Sequence, residues 1–478
     1  MLCRFRWVFC QLDALRHCFP PNLRQYLNEL PETLDETYDR ILRGISRAQK
    51  NNAHRLLQCL TVAVRPLLVE ELAELLALDF QVSTLGGLPI LKEDWRWDDQ
   101  EEAVLSTCSS LIAVVRSGRS RVVQFSHFSV KEYLTSSRLA HSPHGEVSLF
   151  RVDLEPAHTI MAQACLATLL QLDEHAGKSD AKLSPLAKYA AQHWVDHAQF
   201  EKVSSRVREG MDDLFNGSKP HFAAWLQVHD IDEDWFPFSR VSQDGLGSPL
   251  YYAAFCGFFE LAESLIMQHP ELVNARGGRI FAPLQAALYK RHFAVANLLY
   301  GHGAVVDVRS PGKETPLHQA SQLESVDVMR WLLDHGADPN ARTCYGNIPL
   351  FYAKMNPQAV QALIEHNADV NSQNDDGHTP LHRVFSHVRS GLEQNIADVV
   401  RRLLEHGADP NICSNDHSTP LHRASSGGWL EAARLLLSHG AKIDEKDENG
   451  MTPFRLAASG GHDEIMKLLL EHGAVPQQ

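Results

Sequence analysis

From Ser248 to the C-terminus the chain restarts one pattern seven times: a Pro-Leu or Pro-Phe pair opens a short helix, and a second apolar helix follows. The restarts fall at Pro249, Pro283, Pro316, Pro349, Pro380, Pro420 and Pro453, spaced by 34, 33, 33, 31, 40 and 33 residues. Proline suits the first turn of a helix, where its missing N–H has no partner to lose. The Thr or Ser before it supplies a capping oxygen, and the following leucine enters the core. The second helix of successive pairs is expected to end at Gly303, Gly336, Asn367, Gly407, Gly440 or Gly473, residues that tolerate a left-handed backbone. The proline-to-terminator distances are 20, 20, 18, 27, 20 and 20. The fourth pair therefore loses two residues and the fifth gains seven, a gain expected as a longer inter-helix loop around Ser386 to Asn395.

The N-terminal half has no such repeat. Pro20-Pro21 starts a helix, and Thr33-Leu34-Asp35-Glu36 reads as a capping box for the next, through Ile45. Asn51 to Val64 is amphipathic, with Leu56, Leu57 and Leu60 on one side, and Pro66 ends it. Helices over Val69 to Leu78 and Glu101 to Ser109 follow, then two apolar strands, Leu111 to Val115 and Val122 to Phe125, turned by Ser117-Gly118-Arg119. Three helices ending in a hairpin predict a winged helix. The pattern from Leu154 to Trp225 is helical again, clearest over Pro156 to Leu172 and Leu186 to Phe200, and Asp230 to Gly247 reads as a linker. The expected domains are a helical segment at 1–50, a winged helix at 51–140, a helical linker domain at 141–240 and the repeats at 241–478.

A period near 33 with Thr-Pro-Leu-His, present at Thr315–His318, Thr379–His382 and Thr419–His422, is the mark of ankyrin repeats. The expected fold is thus mainly α: a helical and winged-helix region followed by an ankyrin-repeat α-solenoid. Such a solenoid offers a surface rather than a deep pocket, and partners commonly meet its hairpin tips. The candidate protein-binding residues are Cys344, Tyr345 and Asn347; Asp375, Asp376 and His378; Asn415, Asp416 and Ser418; and Glu448, Asn449 and Met451. Histidines recurring at one repeat position lie roughly 10 Å apart, one helix diameter, too far to share a metal ion. They are expected to hydrogen-bond backbone between repeats. The last outer helix, Glu464 to Glu471, keeps the apolar pattern of the others, so an exposed apolar face is expected there.

The formal net charge is −14, and 19 basic against 26 acidic residues from Ser248 onward place half of it on each side. A shared acidity opposes a general nucleic-acid or anionic-membrane surface. Arg116, Arg119 and Arg121 lie about the wing, but the candidate recognition helix begins with Glu101 and Glu102, where DNA readers carry basic or amide side chains. The nine cysteines show no C-x-x-C pair, which fits reduced thiols in a cytoplasmic protein. The first residues are too short and charged for a signal peptide, and no stretch is apolar enough to span a membrane. No H-E-x-x-H or G-x-S-x-G motif occurs. Gly177-Lys178-Ser179 has Leu172 where a phosphate-binding loop requires glycine. A non-enzymatic chain without cofactor, metal or nucleotide is expected.

Leu30 to Leu42 resembles the segment that follows the nucleotide-binding core in fungal NACHT–ankyrin proteins. Arg65-Pro66-Leu67, Glu70 to Ala73, Ser106 to Leu111 and Phe125 to Leu134 resemble successive winged-helix landmarks of that family, in the same order. The resemblance implies a relation to signalling NTPases built from an effector, a NACHT switch and a repeat sensor. It also implies that the chain begins just after the NTPase core, with Phe5 to Asp13 similar to that core's last helix. Without the phosphate-binding loop the family's ATPase activity does not carry over. The expected function is a protein-interaction scaffold or sensor. The alternatives are the C-terminal fragment of an ATP-dependent signalling NTPase and a winged-helix DNA-binding regulator.

Overall fold

The computed structural model describes residues 33–83, 87–108, 110–140, 145–173, 183–232, 245–353, 356–386 and 393–476. The Pro20-Pro21 helix, the Phe5–Asp13 segment, Gly177-Lys178-Ser179, most of the Asp230–Gly247 linker and the centre of the Ser386–Asn395 insertion lie outside them. Two compact units divide the chain, Met1–Gln268 and His269–Gln478.

In the first unit, Thr33 caps the helix Leu34–Gly44 through the expected box: Glu36 N–H donates to the Thr33 hydroxyl, and Thr33 N–H donates to the Glu36 carboxylate. The winged helix follows. Its helices are Lys50–Val62, Val69–Leu76 and Gln100–Cys108, the last capped by Asp99, whose Oδ1 accepts from the N–H groups of Glu101 and Glu102. The sheet comprises β1 (Leu67–Leu68), β4 (Ile112–Ser117) and β5 (Ser120–Phe125), antiparallel in the order β1-β5-β4. Alternation puts Ile112 and Val123 in the core. A second hairpin, β2 (Leu78–Ser83) with β3 (Pro89–Leu91), is inserted between the second and third helices. It escapes the sequence reading because its register shifts between Asp79 and Ser83. Leu60, expected inside, is only half-buried, whereas Leu56 and Leu57 are fully buried.

Helices Leu154–Leu169 and Ala187–Ala198 pack against each other as the next layer, with Ala157, Ala162, Ala164, Ala190 and Ala191 fully buried. Buried Trp194, Trp225, Phe215 and Phe258 make an aromatic cluster with Tyr252 of the first repeat helix, Pro249–Cys256. The first repeat's helix pair, Pro249–Cys256 and Phe259–Gln268, thus belongs to the N-terminal unit.

The second unit holds the remaining repeats. Inner helices Pro283–Tyr289, Pro316–Gln322, Pro420–Gly427 and Pro453–Gly460 pair with outer helices Phe293–Gly301, Val326–Asp334, Leu430–Ser438 and Asp463–Glu471. The expected terminators have positive φ, +64° at Asn367 and +84° to +94° at the glycines. The fourth repeat's two-residue loss leaves a single 3-10 turn, Pro349–Phe351, before the outer helix Pro357–Glu365. In the fifth repeat the centre of the expected longer loop, residues 387–392, lies outside the described residues. This repeat's inner helix shrinks to Pro380–Arg383, and its outer helix Glu393–Glu405 has 13 residues where the sixth repeat's has 9. Part of the insertion extends the helix at its N-terminal end.

The final outer helix also departs from expectation. Ile465, Leu468 and Leu469 are buried, while its exposed side carries Asp463, Glu464, Lys467 and Glu471 with Leu470 alone apolar. That face is polar enough to serve as its own cap.

Candidate protein-binding surface

The tips are built by one local rule. In five successive fingers an N–H donates to the carbonyl four residues on: Ser310 to Glu314, Thr343 to Asn347, Asn374 to His378, Ser414 to Ser418 and Asp447 to Met451, at 2.9–3.0 Å. Each finger then bonds to its predecessor. Cys344 N–H reaches Gly312 O, Asp375 N–H reaches Tyr345 O, Asn415 N–H reaches Asp376 O and Glu448 N–H reaches Asp416 O, all at 2.9–3.1 Å. A Cβ at Gly346 would lie 2.6 Å from the Asp375 carboxylate and 3.1 Å from its backbone nitrogen, and Gly346 also sits at φ +71°. Glycine is what lets these fingers touch.

This ribbon sorts the candidate residues. Tyr345 is 69% exposed, and Cys344, Asp375, Asp376, Asn415, Glu448 and Asn449 are exposed along the ribbon, with Asn415 Nδ2 donating to Asp375 O. The others are committed inward. Asn347 donates to the Tyr352 hydroxyl and accepts from Asn374 Nδ2, and its carbonyl takes the His318 Nε2 proton. Buried Ser418 gives its carbonyl to His382 Nε2, and the Met451 carbonyl accepts from His422 Nε2. Asp416 accepts from Ser414 Oγ, Ser418 N–H and Arg423. Its burial opposes ionisation, but these donors outweigh it and hold the carboxyl below its usual range. His378 accepts from Arg423 NH2 at 3.1 Å, and burial followed by that guanidinium lowers its pKa.

The Thr-Pro-Leu-His histidines work as the repeat spacing suggested. At His318, His382 and His422, Nδ1 accepts from the N–H of the Thr three residues earlier at 3.1–3.2 Å. Nδ1 is therefore unprotonated, and Nε2–H donates to a carbonyl of the next repeat at 3.0–3.2 Å. Burial lowers the pKa of all three, that of His382 to about 4. The second repeat has Gln285 at this position, buried and with no partner for its amide among the described residues.

A second inter-repeat clasp went unseen in the sequence. Asn340, Asn371 and Asn411 each donate Nδ2–H to the carbonyl of a terminator, Asn367, Gly407 or Gly440, at 2.9–3.0 Å. Each Oδ1 accepts the N–H of Asp369, Asp409 or Lys442 at 2.7–2.8 Å. The signal was the recurrent Asp-x-Asn of Asp338-Pro339-Asn340, Asp369-Val370-Asn371 and Asp409-Pro410-Asn411. Asp307 stands at the same position but has only acceptors. One oxygen takes Asp338 N–H at 3.0 Å, the other is buried without a partner, and burial raises its pKa. Asp307→Asn supplies the missing donor and removes a buried charge. We expect it to stabilise the repeats by about 1 kcal/mol in urea denaturation near neutral pH. The gain should shrink as pH falls, because protonated Asp307 is then no longer penalised.

On the winged helix, Arg121 pairs with Glu101 at 2.5 Å and Glu70 at 3.6 Å, which ties a wing base to the acids of the candidate recognition helix. Among the described residues no helix is long and apolar enough to cross a membrane.

Comparison with known proteins agrees with this architecture. Residues 250–343 and 387–478 match ankyrin repeats in three copies, and residues 345–375 match a further ankyrin repeat. Residues 38–142 match the winged helix domain of GPI inositol-deacylase. The chain is 32% identical over 299 residues to the azaphilone pigments biosynthesis cluster protein L of Monascus ruber, covering 59% of this chain and 61% of that one. It is 37% identical over 163 residues to the ankyrin repeat protein nuc-2 of Neurospora crassa, 31% of this chain and 15% of that one. It is 37% identical over 102 residues to the ankyrin repeat and SOCS box protein 11 of Danio rerio, 21% and 34%. The chain therefore spans about three fifths of the first of these relatives and less of the others. The ankyrin repeats mark this chain as a protein-interaction scaffold.

Proposed function

We propose that this chain is a non-enzymatic adaptor of a NACHT-type signalling system, which holds a protein partner on the finger ribbon of its ankyrin repeats. The supporting observation is the division of labour within the ribbon. The backbone and Asn347, Asn415, Asp416 and Ser418 lock the fingers together, while Tyr345, Asp375, Asp376 and Glu448 remain outside the lock. A rigid aromatic among carboxylates suits a protein partner with a basic rim. The winged helix preceding the repeats supports the NACHT relation, since the notable sequence segments fall in the order that family has. The Arg121 pairing and the acidic third helix argue against DNA as the ligand, and the acidic chain suits the cytoplasm better than a membrane surface.

A photo-crosslinking amino acid placed at Tyr345 in the full chain tests the reading, with the exposed outer-helix residue Arg434 as control. The expected result is one protein crosslinked from position 345 and not from 434. Tyr345→Ala should then weaken binding of that purified protein by about 1–2 kcal/mol, as an aromatic hot spot does. Crosslinking from 434 alone, or unchanged affinity in Tyr345→Ala, moves the site off the ribbon.

A further inference from the structure

A hollow of about 510 Å³ opens on the winged-helix domain, beside the loop that joins β3 to the helix Gln100–Cys108. Trp95 and Trp97 line it, 43% and 55% exposed, together with Asp94 and Asp98. Two indoles left facing water are costly unless something covers them. The loop that carries them is held firmly. Arg96 forms a bidentate pair with Glu74, at 2.5 and 3.0 Å, and a third bond to Glu93 at 2.7 Å. Glu74 is itself 4% exposed and accepts from Ser184 Oγ at 2.8 Å.

The charge balance says what fits. Lys92 to Glu102 holds six carboxylates against Lys92 and Arg96. The Arg96 charge is consumed by Glu74 and Glu93, Glu101 pairs with Arg121, and Asp99 is engaged at the helix N-terminus. Asp94 and Asp98 make no ion pair among the described residues and stay exposed on the hollow's wall. Indole faces and free carboxylates favour the same ligand, a cation with an apolar stem. They repel phosphate, which disfavours nucleic acid and anionic lipid alike.

We propose that this hollow is a second docking site, for a basic peptide segment of a partner protein, with a Lys or Arg side chain against Trp95 and Trp97 and its charge paired to Asp94 and Asp98. It stands apart from the ankyrin ribbon and does not depend on it. Calorimetry of the full chain with an end-capped peptide of four lysines spaced by glycines tests it, beside the matching glutamate peptide. The lysine peptide should bind one to one, more weakly as salt rises, and the glutamate peptide should not bind. Trp97→Ala and the double change Asp94→Asn with Asp98→Asn should each weaken binding about tenfold, and Trp97→Phe should retain it. All three replaced side chains are exposed, so the thermal unfolding of these variants should match the parent. The proposal is overturned if both variants bind like the parent, if the glutamate peptide binds equally, or if no heat develops up to about 1 mM peptide.

Discussion

Glu71→Ala is expected to cost the N-terminal unit about 3 kcal/mol, the lower end of what breaking a buried ion pair usually costs. Glu71 is 1% exposed and takes three bonds: Arg65 NH1 at 2.8 Å, Arg65 NH2 at 2.6 Å and the Leu68 N–H at 2.8 Å. Without it Leu68 N–H has lost its acceptor and the guanidinium its partner, though Arg65 keeps some access to water and a place over the Tyr189 ring at 5.0 Å. Glu71→Gln should cost less, since its amide oxygen can still accept from Leu68. Hydrogen exchange of residues 50–76 in the full chain reads the loss directly. Equal protection in parent and Glu71→Ala would show that the pair contributes nothing net.

His382→Ala should cost the repeats about 2–4 kcal/mol, because it leaves the Thr379 N–H buried without its acceptor, removes one donor from the Ser418 carbonyl and opens a cavity. The same histidine predicts an acid sensitivity. Its pKa falls from 6.5 unfolded to about 4 folded, chiefly by burial, so the unfolded chain binds the proton first. The stability it contributes is fully present above pH 6.5 and is lost as pH falls through about 4, on the order of 3 kcal/mol in all. His318 and His422 shift in the same direction and should steepen the loss. Urea midpoints measured between pH 7.5 and 4.5 check this. A flat profile would mean that the three rings are already charged or unpaired.

How much of this could be read beforehand depended on how local each cause is. The box at Thr33–Glu36, the proline starts and the positive-φ terminators are settled within four residues, and they stand where the sequence put them. The histidine clasp was legible because its partner holds the same position in each following repeat, just before the Thr-Pro or Ile-Pro start. The asparagine clasp shares that regularity but hid behind residues that look like ordinary turn formers. The inserted β2–β3 hairpin had no periodic signal, and two-residue β1 exists only through its pairing with Val122 and Val123. For the surface, exposure separated Tyr345 and Asp375 from Asn347 and Ser418, although all four look alike as polar tip residues. Which of them spend their hydrogen bonds inward follows from neighbours about thirty residues away. The Trp95–Trp97 hollow was not anticipated at all, because Arg96 is fixed by a glutamate 22 positions earlier.

The finger ribbon also constrains which changes of length this chain can absorb. Its rungs keep phase from Gly312 to Glu448, although the spacing of successive repeats varies. The seven-residue gain of the fifth repeat falls after Pro380, outside the finger segments 374–378 and 414–418, and the rungs on either side of it keep their bonds. The finger edge of the array behaves as a ruler. The 40-residue step from Pro380 to Pro420 leaves the rungs intact, whereas one residue added between Asn374 and His378 would break that finger's closing bond and its rungs to Tyr345 and Asn415.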